Sequence, residues 1–341
     1  MIDTLPHTCG KAFLVSWTEI FPVLDEDHLE QYEASVTREE REEFEGWFGI
    51  NEIFPAPRIT TSVATTPQPD QAPRPQLVSA TLFWKHVGAK DPELPRPSRE
   101  FLVDARRLGL VKRFSPWESY IEPLVTRSAQ AMEENPDVRF RLYLASDLDF
   151  LIPELNNLGW DVYLMKGPSV RYCPGGFWRF LPLEEEGTLV TVIDTDRMNQ
   201  VSNEIVRTRS MDEMGLGLWR VPGYYNSDLT KQVRYRPILG GHFGARGGIP
   251  VRKLIEAFIW HSRRDTLRKT AFVPGIGERP IMFAEWPGYG FDEWFQLAAI
   301  YPRLVRQGTL TFIPVSARSL LLPVDLEYVT WANPRSESIY V

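Results

Sequence analysis

Residues 188–197 read T-L-V-T-V-I-D-T-D-R, and this stretch decides the fold. Leu189, Val190, Val192 and Ile193 form a short apolar, largely β-branched run, the pattern of a strand buried on both faces. Asp194 and Asp196 follow at its carboxyl end, and in open α/β sheets ligands bind where strands end. Two carboxylates one residue apart on a turn can face one cavity, which suits a hard divalent cation that also holds phosphate oxygens. Such pairs are also ordinary in solvated turns, so the buried strand before them carries the reading.

Working outward, residues 139–144 alternate as a strand, 148–158 read as a helix stopped by Gly159, and 161–165 form a further strand. That β-α-β unit directly precedes the Asp-x-Asp strand, and residues 77–84 supply an earlier buried strand. The predicted class is α/β, with a mixed, mostly parallel sheet flanked by helices. Ser115 and Pro116 open a helix that continues through Tyr120, Ile121, Leu124 and Val125. Ser146-Asp147 falls at a strand end, where it caps the following helix or approaches a nucleotide. In G-G-F-W-R-F-L (175–181) two glycines allow a tight turn backed by large rings, and Arg179 between them neutralises a phosphate or pairs with one of the aspartates.

Downstream, residues 199–211 read as a polar helix, and residues 238–248 hold five glycines in eleven positions. Small residues there permit close approach of a ligand or of another backbone. Pro250 then opens an amphipathic helix with Val251, Leu254, Ile255, Phe258 and Ile259 on one face, so the loop and Arg246 form either an anion site or a packing turn. Asp292 opens a helix running through Ile300, Tyr301 and Leu304, as a cap or as a loop-borne base. Residues 310–313 and 320–324 read as edge strands.

The remainder bounds the organisation. With 341 residues, 43% hydrophobic and 12% aromatic, the chain can bury a full core as one large domain with an appendage or as two unequal ones. Residues 1–54 read as an acidic helical appendage, 55–75 as a linker carrying six prolines, and 76–341 as the main domain. Within the appendage Thr37 and Glu40 form a capping box ahead of Phe44, Trp47 and Phe48, while residues 11–23 fit helix or strand equally. The net charge of -7 is uneven: residues 25–55 carry eleven acidic side chains against Arg38 and Arg41, and residues 231–269 carry ten basic ones against Glu256 and Asp265. The acidic run is a solvated helix face or a docking surface for a basic protein, and the basic run keeps a polyanionic partner open. Cys9 and Cys173 form no CxxC, and five histidines form no HExxH, which argues against disulfide frameworks and zinc hydrolases. With neither a membrane-length apolar run nor a signal-peptide pattern at the start, the expected compartment is the cytoplasm.

Taken in order, W-R-F-L-P (178–182), D-T-D-R (194–197), I-L-G-G-x-F-G-A-R (238–246), Y-G-F-D-E (289–293) and I-Y-P (300–302) resemble a group of GT-A-like glycosyltransferases common in viral and phage-like sequences. The similarity covers about residues 76–302. It implies a GT-A-like fold, a nucleotide-sugar donor and a Mn²⁺ or Mg²⁺ ion held by Asp194 and Asp196, with Asp194 also near the ribose. Arg179, Arg197 and Arg246 would support the diphosphate charge, Gly240 and Gly241 would line the sugar pocket, and Asp292 would act as base or position the acceptor. The chain departs from the group at Trp219 to Gly223, where an acidic residue is missing, at His242 in place of Met, and at Glu293 in place of Gln. His242 is a packed side chain or a ligand. The resemblance and the basic run together point to DNA carrying a hydroxylated base as acceptor. The competing expectations are a non-catalytic interaction protein on the same fold and a nucleotidyltransferase.

Overall fold

In the computed structural model, the strands among the described residues are β1 (Phe13–Ser16), β2 (Ile50–Phe54), β3 (Gln76–Leu82), β4 (Val138–Leu144), β5 (Asp161–Met165), β6 (Leu189–Ile193), β7 (Gly217–Val221), β8 (His242–Arg246), β9 (Lys269–Val273), β10 (Gly277–Ile281), β11 (Leu310–Pro314), β12 (Leu322–Pro323) and β13 (Tyr328–Trp331). The α-helices are α1 (Glu26–Ser35), α2 (Arg38–Phe48), α3 (Arg99–Asp104), α4 (Glu122–Glu134), α5 (Ile152–Asn157), α6 (Gly175–Trp178), α7 (Val201–Glu213), α8 (Val251–Arg263) and α9 (Phe291–Phe295). The structure describes residues 13–16, 23–57, 74–84, 98–104, 107, 117–169, 174–213, 217–221, 240–267, 269–273, 277–281, 291–300, 302–303, 310–314, 322–323 and 328–331. They fall into a sheet unit, from residues 37–209 and 244–252, and a second unit, from residues 1–36, 210–243 and 253–341.

The sheet unit is built on strands in the order β8-β6-β3-β4-β5-β2. β3 runs parallel to both β4 and β6, β4 runs parallel to β5, and β2 closes the edge antiparallel to β5. The expected mixed, mostly parallel α/β sheet is present. β6 is buried along its whole length, as its apolar run dictates.

β4 departs from its alternating sequence. Val138, Phe140, Leu142 and Leu144 bury one face, yet on the other face only Arg139 is exposed, while Arg141 and Tyr143 are buried. Burial works against the Arg141 charge, but Tyr143 and Glu185 hold it protonated, above its ordinary value. Glu185 pairs with its Nη1, the Tyr143 hydroxyl lies 3.3 Å away, and the guanidinium sits 4.4 Å over the Tyr163 ring.

Proline sets two local differences from the sequence reading. The expected 148–158 helix is a 3₁₀ turn, Ser146–Leu151, followed by α5 with Pro153 in its first turn. The helix expected from Ser115 begins instead with a π turn at Trp117–Ile121 and becomes α4 around Pro123; Ser115 and Pro116 lie outside the described residues. The polar helix at 199–211 is likewise a 3₁₀ turn, Thr195–Gln200, leading into α7.

Residues 1–54 are divided between the two units. β2 is a strand of the main sheet, and Asn156 Nδ2 donates to the Phe54 and Pro55 carbonyls at 3.1 and 2.9 Å to hold its end. α2 has the expected Thr37–Glu40 capping box and buries Phe44 and Phe48 in the sheet unit. Its Glu45 meets Lys166 at 2.6 Å and Arg252 at 2.5 Å, two hydrogen-bonded cations that lower its pKa.

In the second unit α1 buries Leu29 and Tyr32 and docks on α8 through Tyr32, whose ring meets Trp260 with centroids 6.1 Å apart. Tyr32 donates to Glu256 at 2.8 Å, and Lys253 pairs with Glu33 at 3.0 Å. Glu33 and Glu45 thus find basic partners within the chain, while most of the acidic run is exposed, as a solvated face requires. Phe258 of α8 packs against Phe291 and Phe295 of α9, with ring centroids 4.8 and 5.6 Å apart. β7 is parallel to β11, which pairs with β12; β1 pairs with β13, so the segment at 11–23 contains a strand, and β9 pairs with β10. Among the described residues no helix is long and apolar enough to cross a membrane.

The α1–α8 contact centres on His261, which is fully buried. Its Nε2 donates to the His28 carbonyl at 2.7 Å, which leaves Nδ1 of the neutral ring to accept from the Thr266 hydroxyl at 2.6 Å. The His28 ring stands edge-on at 4.9 Å, with Asp25 2.5 Å from His28 Nδ1. Burial pushes His261 below the ordinary histidine value; His28 and Arg264 act in the same direction, and the carbonyl bond and Asp25 oppose them. The folded state therefore prefers the neutral ring, and below the ordinary value of about 6.5 the unfolded chain binds more protons. Stability is expected to fall as pH drops from 7 towards 5, with this residue contributing at most about 1.4 kcal/mol per pH unit. Denaturant unfolding across that range should show a shallower slope in His261→Gln.

Candidate functional site

The order of the parallel strands selects one place on the sheet. From β3 the chain moves outward to β4 and β5, then returns to place β6 on the other side of β3. Connections leave in opposite directions there, so the carboxyl ends of β3 and β6 flank the crevice where open α/β sheets take their ligands. Phe83 and Trp84 follow β3, and Asp194 to Arg197 follow β6.

The turn after β6 separates inward from outward side chains. Asp194 is still extended, and its carbonyl accepts from the Arg197 amide at 2.9 Å to close the 3₁₀ turn. Thr195 and Met198 are buried and anchor the turn, which leaves Asp196 and Arg197 exposed and the Asp194 side chain 42% exposed. Arg197 breaks the helical geometry with φ -114° and ψ 19°.

Asp194 is ion-paired through Oδ1 with Nη1 of Arg179, whose side chain is only 8% exposed. Of the two roles open to Arg179 on sequence grounds, the structure has the pairing with an aspartate. α6 and its flanks anchor the segment that carries this guanidinium, because Phe177, Trp178 and Phe180 are completely buried, and the Phe180 ring centre lies 5.3 Å from it. Two strand hydroxyls hold the same segment down: Ser79 Oγ donates to the Arg179 carbonyl and Thr81 Oγ1 to the Gly175 carbonyl, each at 2.8 Å. Trp178 Nε1 donates to the Trp47 carbonyl at 2.9 Å. Ser79 and Thr81 escaped the sequence reading, although hydroxyls at alternate positions of a buried strand already mark one of its faces as polar.

Asp147 is not a helix cap. Its Oδ1 accepts from both the backbone N–H and the hydroxyl of Ser169 at 2.8 Å, and Ser169 Oγ accepts from the Trp84 amide at 3.2 Å. The loops after β3, β4 and β5 are thereby tied together beside the crevice.

The glycine-rich stretch does not leave an open anion site at the start of α8. Gly247 N–H donates to the Thr188 carbonyl at 2.8 Å, and Gly248 and Ile249 donate to the Leu183 carbonyl at 2.8 and 2.9 Å. The Arg252 amide donates to Glu184 Oε1 at 2.8 Å, so a carboxylate of the chain itself caps the positive end of the helix. Glycine is required here for packing. A Cβ on Gly247 would stand 1.9 Å from the Glu185 carbonyl oxygen, and one on Gly244 would stand 2.3 Å from Thr208 Oγ1. Arg246, at the end of β8, is half-buried.

The expected site residues divide between the units. Asp194, Asp196, Arg179, Arg197 and Arg246 belong to the sheet unit; Gly240 and Gly241, a buried turn before β8, and Asp292, half-buried in the first turn of α9, belong to the second. Residues 222–239 and 282–290, which hold parts of two of the quoted motifs, lie outside the described residues. Among the described residues no group of three or more His, Cys, Asp or Glu side chains converges as a metal cage. Asp194 and Asp196 fit the other mode, in which one or two carboxylates hold a Mg²⁺-like ion and substrate phosphates complete its shell.

The two glycine environments give a paired test. Gly247→Ala is expected to cost about 1–3 kcal/mol of unfolding free energy through overpacking. Gly46→Ala, inside α2 with nothing within 4 Å of the new Cβ, is expected to stabilise by about 0.5–1 kcal/mol. Denaturant unfolding of both variants checks the pair.

No protein-family profile, curated protein or solved structure matches this chain.

Proposed function

We propose that the chain is a metal-dependent glycosyltransferase that takes its sugar from a nucleotide-sugar donor. The observation that carries the reading is the Asp194-Thr195-Asp196 turn at the reversal point of a parallel sheet, with the Arg179 guanidinium against its first carboxylate. In this reading Asp196 and Asp194 hold Mn²⁺ or Mg²⁺, which when bound neutralises the leaving diphosphate. Arg179 and Arg197 add fixed positive charge beside the turn, so the nucleoside diphosphate departs into an electrostatically prepared site. The bond from the sugar C1 to the phosphate oxygen breaks, the bond from C1 to the acceptor oxygen forms, and the acceptor proton passes to a general base.

For the acceptor we propose DNA carrying a hydroxylated base, on the strength of the ten basic residues between 231 and 269. Arg252 and Lys253 of that segment are engaged by Glu45 and Glu33. Binding to such DNA is then expected to weaken steeply with salt. A non-catalytic reading has one observation in its favour, because pairing with Arg179 gives Asp194 a structural use.

Thermal unfolding against UDP, GDP, CDP and dTDP, each with Mn²⁺ or with EDTA, tests the donor site. A diphosphate at a hundred times its dissociation constant adds about 2.7 kcal/mol. One of the four is expected to raise the midpoint by about 5 °C, only with metal, and Asp196→Asn is expected to abolish the rise while leaving the unliganded midpoint in place. A metal-independent shift, or none with any of the four, contradicts the reading.

A further inference from the structure

We propose that Arg179 is a positioning residue that keeps the Asp194–Asp196 turn from taking up a divalent cation by itself, so that the metal binds with the donor's diphosphate; the second clause rests on the glycosyltransferase reading above. The first observation is the Arg179–Asp194 ion pair, with the guanidinium largely excluded from water. Arginine does not lose its proton in proteins, so this charge is permanent, and a partly buried pair is only weakly screened by salt. A dication approaching Asp194 therefore meets a carboxylate already neutralised, with a fixed cation behind it.

The second observation is that Arg179 is held where it is. Its carbonyl accepts from Ser79 Oγ at 2.8 Å, Trp178 and Phe180 on either side are completely buried, and its guanidinium lies 5.3 Å from the centre of the Phe180 ring. The backbone under Arg179 is thus fixed, and swinging the side chain away to release Asp194 would take the guanidinium off the Phe180 ring. The third is local charge balance among the described residues: Asp194 and Asp196 share their segment with Arg197, and the Arg179 guanidinium lies against the first of them. Among the described residues no further cluster of acids joins them into a cation cage. A diphosphate changes this balance, since it brings several negative charges and the oxygen ligands that a hard cation requires. Its arrival turns Arg179 from an obstacle to the metal into a counter-charge for the phosphates.

The test is Mn²⁺ binding to the full chain, followed by electron paramagnetic resonance of the free ion, first without nucleotide and then with each of UDP, GDP, CDP and dTDP. The wild-type protein is expected to bind Mn²⁺ alone only weakly. Arg179→Gln removes the charge and is expected to bind Mn²⁺ alone about tenfold more tightly, whereas Arg179→Lys keeps the charge and is expected to stay near wild type. A role confined to folding would lower the melting point of both variants without this split. Should Arg179→Gln fail to fold, Ser79→Ala, which releases the Arg179 carbonyl, is expected to shift Mn²⁺ affinity in the same direction by a smaller factor. Micromolar Mn²⁺ binding by the wild type without nucleotide overturns the proposal, as does equal affinity in the Gln and wild-type proteins. A tighter Gln variant with no effect of any diphosphate supports the hold of Arg179 on Asp194 and sinks the glycosyltransferase reading instead.

Discussion

The interaction on which the sheet unit depends is the covering of a polar sheet face by residues 174–185. Ser79 lies beside Arg141 in the register of β3 and β4, and Thr81 beside Tyr143, so hydroxyls, a guanidinium and a phenol share one face of a buried parallel sheet. Buried polar groups cost stability unless they are paired, and here the partners come from one short segment. The carbonyls of Gly175 and Arg179 accept from the strand hydroxyls, and Glu185 meets Arg141. The apolar rings of Phe177, Trp178 and Phe180 supply the burial that holds the segment on the sheet, and the polar contacts fix where along the strands it rests. The cost is visible at Arg141, whose Nε is buried with no hydrogen-bond partner among the described residues, although the guanidinium face has the Tyr163 ring.

That segment also decides what lies next to it on two sides. Its Arg179 reaches the end of β6, and its far end, through the Leu183 carbonyl and the Glu184 carboxylate, fixes the loop from Gly247 to Arg252. The glycines at 244 and 247 follow from the closeness of this packing, since any larger side chain would strike Thr208 or the Glu185 backbone. A glycine-rich loop before a helix is a familiar phosphate cradle because its amides point outward. Here the amides point at the protein's own acceptors, so the loop binds the segment that carries Arg179 rather than an external anion.

The parts legible in the sequence are those set by a single local pattern. The buried strand β6, the β4-α5-β5 unit and the Thr37–Glu40 capping box come from apolar runs, alternation and one short capping signature. What stayed hidden depends on residues distant in the chain. Nothing near Arg141 announces that Glu185 will cover it, and nothing in I-N-E-I-F announces that β2 will extend the sheet beside β5. Most of the acidic run is exposed, as a solvated face requires; what the sequence does not announce is that Glu45 meets Lys166 and Arg252, and Glu33 meets Lys253, because these partners lie more than a hundred residues away. Asp194 and Asp196 were legible as a pair after a strand; the sheet order that makes this strand end the reversal point was not, because it depends on where β6 lies relative to β3.

The same physical device occurs twice in the sheet unit, and the comparison separates fold from site. Arg141 and Arg179 are each buried, and each is paired with a carboxylate at the rim, Glu185 and Asp194, which are both 42% exposed. Asymmetric burial therefore does not by itself mark a ligand site. The Arg141 pair lies over the middle of β4, covered by the segment that supplies Glu185, and its consequence is the placement of that segment. The Arg179 pair lies at the carboxyl end of β6, beside the point where the connections diverge, and the turn carries a second, exposed carboxylate two residues on. Both pairs stabilise the same contact between segment and sheet, but only at Asp194 does the pair bear on a place that the sheet topology leaves for a ligand.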